Sequence, residues 1–293
     1  MSFREVRNHQ TAYCFPDAPF YSFSDSFVCV LTFNEKIARV ELVHPKFADA
    51  AGVERLKKTV LHEMRCFGAT RGVLRVLTEK PMDDGEFVLE GTIWTEKGEL
   101  AVFGCNEASR LPSEEVLERE RTYLKRVVGA ERRAPPVGME IKRLECAAKT
   151  AEELELLYAA AYSWYPKTLD TKSILHSLRD SIPYAVLEEG KIVCALFGEV
   201  CRFGEVHAVE LTYSASAPSA SKRGIGITIA LAKKIEEEAR RRFRSVAIFA
   251  ETIAAPVMRS CHDFGMSHRG VLREHSRIAI GERVFTNFYL WSL

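Results

Sequence analysis

A run of small and basic residues in the last third of the chain has the composition of an anion-binding turn. The run is Ala215-Ser-Ala-Pro-Ser-Ala-Ser-Lys-Arg-Gly-Ile-Gly-Ile-Thr228, and its Arg-Gly-x-Gly turn leads into a helical pattern. Ile227, Leu231 and Ile235 recur every four residues and mark the buried stripe of that helix. A glycine turn at a helix start exposes backbone N–H groups, and the helix dipole adds positive potential. The sequence therefore predicts a pyrophosphate cradle, with an ordinary Gly-rich strand-to-helix turn as the alternative.

The glycine spacing excludes two common nucleotide-binding loops. A dinucleotide fingerprint needs Gly-x-Gly-x-x-Gly, and Ile229 stands where the third glycine should be. A Walker loop needs Gly-x-x-x-x-Gly-Lys-Ser/Thr, and no stretch of the sequence has that spacing. Both observations argue against a nucleotide-binding module.

The stretch Ser221-Lys-Arg-Gly-Ile-Gly226 resembles the Q/R-x-x-G-x-G/A loop of the GNAT acetyltransferase superfamily, with Ser in the first position. Around it, apolar patterns predict the order strands, Gly loop, helix, strand, helix, strand, strand, which is the order of a GNAT C-terminal half. The predicted strands are 183–188, 191–200, 205–215, 245–250, 266–280 and 283–291, and the other predicted helices are 151–165, 171–179 and 255–264. The resemblance covers roughly residues 139–293. It implies an α/β fold with a mixed sheet, acetyl-CoA as cofactor and N-acetyltransferase activity on a primary amine of a small molecule.

Within that superfamily the chain most resembles the β-lysine N-acetyltransferases. The residues that carry this likeness are Leu157-Tyr-Ala-Ala-Ala-Tyr-Ser-Trp-Tyr-Pro166, Ile182-Pro-Tyr-Ala-Val186, Glu210-Leu-Thr212 and Thr286-Asn-Phe-Tyr-Leu-Trp291. Met258 departs from the family pattern, which has Asn there. The resemblance implies β-lysine or a related amino acid as the acceptor.

The resemblance also implies which residues bind the cofactor. In the superfamily, the backbone of the strand before the loop bonds the pantetheine and the thioester, and the loop and helix start hold the pyrophosphate. The corresponding strand positions are Ser214, Ala215, Ser216 and Ala217, for which a flexible Ser/Ala loop is the alternative. The corresponding loop positions are Lys222, Arg223, Gly224, Ile225, Gly226, Ile227 and Thr228.

Acetyl transfer to an amine requires the amine to lose a proton, since a lysine-type ammonium has a pKa near 10.4. Glu210 is the predicted general base, because it lies among apolar and small residues on the strand before the loop. A structural or exposed carboxylate is the alternative. Cys261 stands where many superfamily members have an acidic Tyr, so it is the candidate general acid. The alternatives there are a small core cysteine, His262 at the surface, or no side-chain acid.

An amino-acid acceptor requires an acidic partner for its ammonium and a cation for its carboxylate. Glu199 and Arg277 are the candidates, with Tyr165 as pocket wall or core and His275 on a neighbouring pocket element. A CoA-binding regulatory or assembly protein without catalysis is the alternative function, permitted by Ser221 and by the absence of a Tyr at Cys261.

Composition narrows the class of protein. A net charge of +1 argues against a nucleic-acid partner, and 47% hydrophobic residues indicate a globular chain. No apolar run approaches the roughly 20 residues of a membrane helix. The eight cysteines and eight histidines are scattered, so we expect free thiols, no metal site and a cytoplasmic location.

The length suggests two domains. Residues 1–128 form a predicted α/β domain, read as a degenerate GNAT-like module that shapes the acceptor pocket or a homodimer face. Residues 129–138 contain two prolines and are the predicted linker. Residues 139–293 form the predicted acetyltransferase domain.

Overall fold

The structure is a computed structural model that describes residues 10–11, 20–24, 27–34, 38–78, 86–107, 113–135, 138–162, 168–203, 206–217, 226–253, 256–276 and 286–293. The chain divides into two compact units. Unit 1 comprises Met1–Ser113, Arg202–Val206 and Gly270–Asn287, and unit 2 comprises Glu114–Cys201, His207–Arg269 and Phe288–Leu293.

The described residues alternate between strands and helices, and the fold class predicted from the sequence, α/β with a mixed sheet, is confirmed. The strands are β1 (Gln10–Thr11), β2 (Phe20–Ser24), β3 (Phe27–Asn34), β4 (Arg39–Phe47), β5 (Arg71–Thr78), β6 (Val88–Thr95), β7 (Gly98–Asn106), β8 (Glu140–Arg143), β9 (Ser181–Glu188), β10 (Lys191–Phe203), β11 (Val206–Ser216), β12 (Val246–Thr252), β13 (Ser267–Ser276) and β14 (Thr286–Ser292). The helices are α1 (Ala50–Phe67), α2 (Glu114–Val128), α3 (Ala148–Ala161), α4 (Thr171–Asp180), α5 (Gly226–Arg242) and α6 (Pro256–Phe264).

The strands of unit 2 lie in the order β14-β12-β11-β10-β9-β8. β11 and β12 are parallel and α5 connects them, whereas β12 with β14, β10 with β9 and β9 with β8 are antiparallel. The predicted order of elements around the Gly loop is therefore confirmed. The edge strand β8 was not predicted, because its sequence Glu-Ile-Lys-Arg is largely exposed and shows no apolar alternation.

Unit 1 has the order β1-β2-β3-β4-β5-β7-β6, with β13 beside β6. Its parallel pair is β4 and β5, connected by α1, and its other pairs are antiparallel. Each unit therefore contains one parallel pair of strands joined by a helix, preceded and followed by antiparallel strands.

Two helices bury the apolar faces that their periodicity predicts. In α1, Leu56, Val60 and Met64 are buried against the sheet of unit 1. In α5, the whole stripe of Ile227, Leu231, Ile235 and Ala239 is buried. A stripe that recurs every three to four residues keeps one helix face against the sheet and leaves charged residues on the other.

The segment predicted as a linker, 129–138, is hydrogen bonded to α6 where the structure describes it. The Arg133 N–H donates to Asp263 at 3.2 Å, and the Ala130 carbonyl accepts from His262. Residues 114–135 accordingly lie within unit 2. The division at 1–128, 129–138 and 139–293 stays a prediction.

No helix in the described ranges combines the length and apolarity needed to span a membrane.

Candidate functional site

Six of the predicted site residues lie outside the described part of the chain: Tyr165, Lys222, Arg223, Gly224, Ile225 and Arg277. The remaining ones belong to unit 2, apart from His275, which belongs to unit 1. Helix α5 begins at Gly226, the glycine predicted at the helix start. Ile227 is only 2% exposed, so its side chain faces the core and only its backbone could meet an anion.

The parallel strands β11 and β12 separate ahead of α5. Their pairing runs from His207 with Val246 to Leu211 with Ala250. Beyond that last pair, β11 continues to Ser216 and β12 to Thr252. Because both strands continue after their pairing ends, a wedge opens between them on the side from which the chain leads to α5.

Side-chain alternation along β11 reverses within this wedge. Val209 lies on the face of the sheet that carries α5, since a Cβ built on the neighbouring Gly198 would lie 2.7 Å from Val209 and 2.6 Å from Ile235. Tyr213 is an even number of residues further on, yet it packs with α3 and α4 on the other face. Tyr213 has a φ of 51°, in the left-handed region. One such residue shifts the period of a strand and turns the following side chains to the opposite face.

A cluster of aromatic rings holds Tyr213 in this backbone conformation. Its ring centroid lies 6.1 Å from that of Tyr158 and 5.4 Å from that of Phe197. Left-handed backbone costs a non-glycine residue roughly 1–3 kcal/mol. Burial of the Tyr213 ring, which leaves the residue 6% exposed, offsets that cost.

The four residues predicted to meet pantetheine, Ser214 to Ala217, have distinct environments. The Ser214 carbonyl accepts a hydrogen bond from the Tyr162 hydroxyl. The Ser216 hydroxyl donates to Cys194 Sγ at 3.1 Å, and burial raises the pKa of that thiol to about 11. The Ala217 N–H donates to the Val193 carbonyl at 2.8 Å, so that it is bonded within the sheet. Ala215 is 3% exposed.

Glu210 lies at the mouth of the wedge. It pairs with Phe249, one position before the last β11–β12 pair, and it is half-buried. Alternation puts its side chain on the face opposite Val209, which is the face that carries α3 and α4. A carboxylate at the point where the strands separate can accept a proton from a group entering the wedge, directly or through water.

Glu199 faces the same side of the sheet as Glu210. It pairs with Ser181 on β9 and is half-buried. Phe197, two residues earlier on β10, packs with the α3 and α4 cluster, and alternation gives Glu199 the same face. Two predicted site carboxylates therefore lie on one face of neighbouring strands β10 and β11.

Cys261 is 7% exposed in α6, and burial raises the pKa of its thiol to about 12. A thiol with this pKa keeps its proton at neutral pH, which favours the interpretation of Cys261 as a core residue. The expectation that His262 lies at the surface is wrong, because it is 8% exposed. Its Nε2 donates to the Ala130 carbonyl at 2.8 Å.

His275, expected on a pocket element, belongs to unit 1 and is 2% exposed. Its Nε2 lies 2.5 Å from the Arg39 guanidinium and its Nδ1 lies 3.2 Å from that of Arg71. Arg71 in turn pairs with the buried Glu90 at 2.5 Å. Both ring nitrogens of His275 are in contact with arginines, so this residue is part of the buried polar interior of unit 1.

The corresponding parallel pair in unit 1 stays paired to the end of β4. β4 and β5 pair as far as Phe47 with Leu77, with a register shift between His44 and Phe47; Phe47 is the last residue of β4, and only Thr78 of β5 lies beyond Leu77. The following helix α1 has Asp49 as its N-cap, and the carboxylate accepts from the Gly52 N–H at 2.7 Å. A negative charge thus takes up a backbone donor at the helix start.

Sequence reasoning did not assign a role to Tyr158 or to the left-handed Tyr213. The signal available for Tyr158 and Tyr162 was their i, i+4 spacing, which puts two hydroxyls on one face of α3.

No group of three or more His, Cys, Asp or Glu that could hold a metal ion occurs within the described ranges.

The chain matches no protein-family model and no curated protein sequence. Solved structures similar to part of it include an N-acetyltransferase from Staphylococcus aureus Mu50, with 15% identity, 53% of this chain and 97% of that chain covered, and a TM-score of 0.42. The ribosomal-protein-alanine N-acetyltransferase from Brucella melitensis has 19% identity, coverages of 53% and 98%, and a TM-score of 0.42. A protein from Salmonella typhimurium described as an acetyltransferase, solved with acetyl-CoA, has 19% identity, coverages of 53% and 93%, and a TM-score of 0.43.

Proposed function

We propose that the chain is an acetyl-CoA-dependent N-acetyltransferase that acts on a primary amine of a small molecule. The observation that carries this proposal is the wedge between β11 and β12, in the strand pair that α5, beginning at Gly226, connects. The pantetheine part of acetyl-CoA is an extended chain with amide groups. Such a chain can lie in the wedge and form hydrogen bonds to its edges, as an added strand does. Its anionic end would then reach the N-terminus of α5, where N–H groups and the helix dipole favour negative charge.

The residues of the wedge suit acyl transfer. Acetyl-CoA supplies an acetyl group activated as a thioester, so that the amine nitrogen bonds to the acyl carbon as the carbon–sulfur bond breaks. Glu210 accepts the proton that the ammonium must lose. The backbone N–H group of Ser214 stabilises the negative charge that develops on the acyl oxygen. The Cys261 thiol, with a pKa of about 12, is a poor proton donor, so solvent would protonate a thiolate released at this site.

We propose an amino acid of the β-lysine type as the acceptor. Glu199 and Glu210 lie on one face of β10 and β11, which gives an approaching ammonium two carboxylates. Arg277 would bind the acceptor carboxylate and Tyr165 would form a pocket wall. These roles rest on the resemblance quoted for the sequence.

A CoA-binding protein without turnover is the second candidate. The burial of Cys261 favours this second candidate, because a buried thiol at position 261 cannot serve as an accessible side-chain acid. Both candidates share the cofactor, so they differ only in whether acetyl groups are transferred.

One experiment separates them. The protein is incubated with acetyl-CoA and a panel of free amines that includes β-lysine and lysine, and released thiol and acetylated amine are measured. Binding is measured in parallel as the thermal shift that acetyl-CoA produces, with a Gly226→Val variant as the control for the helix start. Thiol release that depends on an amine supports the enzyme. A thermal shift without release for any amine supports the second candidate, and no shift contradicts both.

A further inference from the structure

We infer that Tyr158 and Tyr162 are positioning residues that hold the two peptide groups flanking Ser214, so that the backbone N–H group of Ser214 points into the wedge between β11 and β12. This inference rests on the proposed function for what that N–H group binds. Its geometry depends only on residues of unit 2. Neither tyrosine would touch the reacting atoms.

The two hydroxyls fix consecutive carbonyl groups. The Tyr158 hydroxyl donates to the Tyr213 carbonyl at 3.3 Å, and the Tyr162 hydroxyl donates to the Ser214 carbonyl. Both tyrosines come from the C-terminal end of α3, on one side of the sheet. The two hydroxyls therefore hold the peptide groups on both sides of Ser214 from the side of the sheet that carries α3.

The planarity of the peptide bond transmits this orientation to the N–H groups. In a trans peptide the C=O of one residue and the N–H of the next point in opposite directions. No cis peptide bond occurs in the described residues. The Ala217 N–H donates to the Val193 carbonyl of β10, and N–H groups of an extended strand alternate between its two edges, so the N–H of Ala215 also faces β10 and that of Ser214 faces the edge that β12 has left. An N–H group that faces an unpaired strand edge can donate to an oxygen with negative charge.

The backbone at Tyr213 makes this arrangement achievable. With a φ of 51°, Tyr213 breaks the strand alternation between the carbonyls of Thr212 and Tyr213, at the point where β11 is no longer paired with β12. Its ring is buried among Tyr158 and Phe197, so that the same tyrosine of α3 packs against the side chain and bonds the carbonyl. Packing and hydrogen bonding thus select one conformation of residues 213–215.

Packing alone does not explain tyrosine at both positions. Phenylalanine would fill nearly the same volume and would bury no hydroxyl, and Tyr158 is 1% exposed. A buried hydroxyl is retained at low cost only where it has a partner, and here the partners are the two carbonyls of the distorted strand. Tyr162 is also the C-cap of α3, and its N–H donates to the Tyr158 carbonyl at 2.9 Å, which fixes the two tyrosines relative to each other.

The test compares Tyr158→Phe, Tyr162→Phe and the double variant with Tyr184→Phe. Tyr184 is a matched control, because its hydroxyl donates to Glu238 at 2.8 Å in the same unit but away from the wedge. Hydrogen exchange of the amides at residues 212–217 is measured without ligand, and kcat and the KM for acetyl-CoA are measured with the amine found active.

We expect faster exchange at residues 214–216 in the double variant and not in the control. We also expect a kcat lower by about tenfold to a hundredfold, a fraction of the loss seen when an oxyanion donor is removed, with a smaller change in KM. Exchange equal to that of the wild type in the folded double variant would overturn the inference, and so would faster exchange with an unchanged kcat. If the wild type neither binds nor consumes acetyl-CoA, the proposed function fails, while the exchange data still decide whether the tyrosines fix this backbone.

Discussion

At the scale of single residues, the candidate site depends on where Glu210 lies. It is half-buried on β11, next to the last pair with β12, and on the face that carries α3 and α4. The sequence offered a structural carboxylate as the alternative to a base. Both roles are compatible with a half-buried carboxylate, and they differ in what the removal of its charge would change.

If Glu210 is the general base, Glu210→Gln lowers kcat by about two to four orders of magnitude and leaves acetyl-CoA affinity nearly unchanged. The pH profile of kcat/KM also loses its acidic limb, because that limb reports the protonation of this carboxylate. Steady-state kinetics between pH 5 and 9, together with the melting temperature, check this. Full activity in a folded variant would contradict the assignment, whereas lost stability with preserved turnover would indicate a structural carboxylate.

For Cys261 we expect a role in stability and none in catalysis. Because burial raises the pKa of its thiol to about 12, the thiol keeps its proton and contributes packing. Cys261→Ala should therefore lower the melting temperature and leave kcat per folded molecule unchanged. The same assay with Glu210→Gln as the positive control checks this. A kcat loss comparable to that of the Glu210 variant would restore Cys261 as the acid.

At the scale of elements, α5 is tied to strands of the sheet by one buried carboxylate. Glu238 accepts from Arg143 of β8 at 3.0 Å and from Tyr184 of β9 at 2.8 Å, and it pairs with Arg242. Burial raises the pKa of Glu238, but the Tyr184 hydroxyl and the two guanidinium groups outweigh it and hold the pKa below its usual range. Burial and the bond to Glu238 raise the pKa of Tyr184 to about 12, so that its hydroxyl remains a donor. This contact joins the C-terminal half of α5 to β8 and β9.

The lowered pKa predicts a pH dependence of stability. A carboxylate with a lowered pKa in the folded state contributes stability that is fully present above its unfolded pKa, near 4.3, and is lost as the pH falls through the folded pKa. Glu238→Gln should therefore lower the free energy of unfolding at pH 7 by about 1–3 kcal/mol and flatten its acid dependence below pH 5. Urea unfolding from pH 3 to 7 measures both effects. Glu237→Gln, on the exposed face with Lys234, is the control, and an equal loss in both variants would contradict the prediction.

At the scale of the whole molecule, the two units contain the same type of parallel strand pair but differ at the helix start. In unit 2 the pair separates at Leu211 and Ala250 before α5. In unit 1 the pairing continues to Phe47 and Leu77, and Asp49 caps α1 with a carboxylate. A pyrophosphate at α1 would meet a closed sheet and a like charge.

The chain should accordingly bind one acetyl-CoA, and the site should be in unit 2. Titration calorimetry should give a stoichiometry of one per chain for the wild type and for Asp49→Ser, which keeps the cap without the charge. Gly226→Val should reduce binding strongly, because the side chain intrudes at the start of α5. A stoichiometry of two, or loss of binding in the Asp49 variant, would contradict this account. Domain boundaries and a homodimer stay predictions.

Local patterns determined much of the fold. The four-residue recurrence of Ile227, Leu231 and Ile235 predicted the buried stripe of α5, and the Gly loop predicted a helix that begins at Gly226. These features depend on residues close in sequence, whose period and backbone freedom are readable from residue types. β8 could not be predicted, because a short exposed edge strand carries no period. The surface position expected for His262 was wrong, because its burial depends on a hydrogen bond to Ala130, which is distant in sequence.

The geometry of the candidate site was decided by tertiary structure. Nothing in the residue type of Tyr213 indicates left-handed backbone, which is unfavourable for an aromatic residue unless distant groups compensate. The compensation comes from Tyr158 and Tyr162, some fifty residues away, through ring packing and two hydrogen bonds to carbonyls. The sequence by itself determined that β11 leads through a glycine loop to a helix. Only the tertiary structure decided where the strand leaves β12 and which of its carbonyls bond to α3.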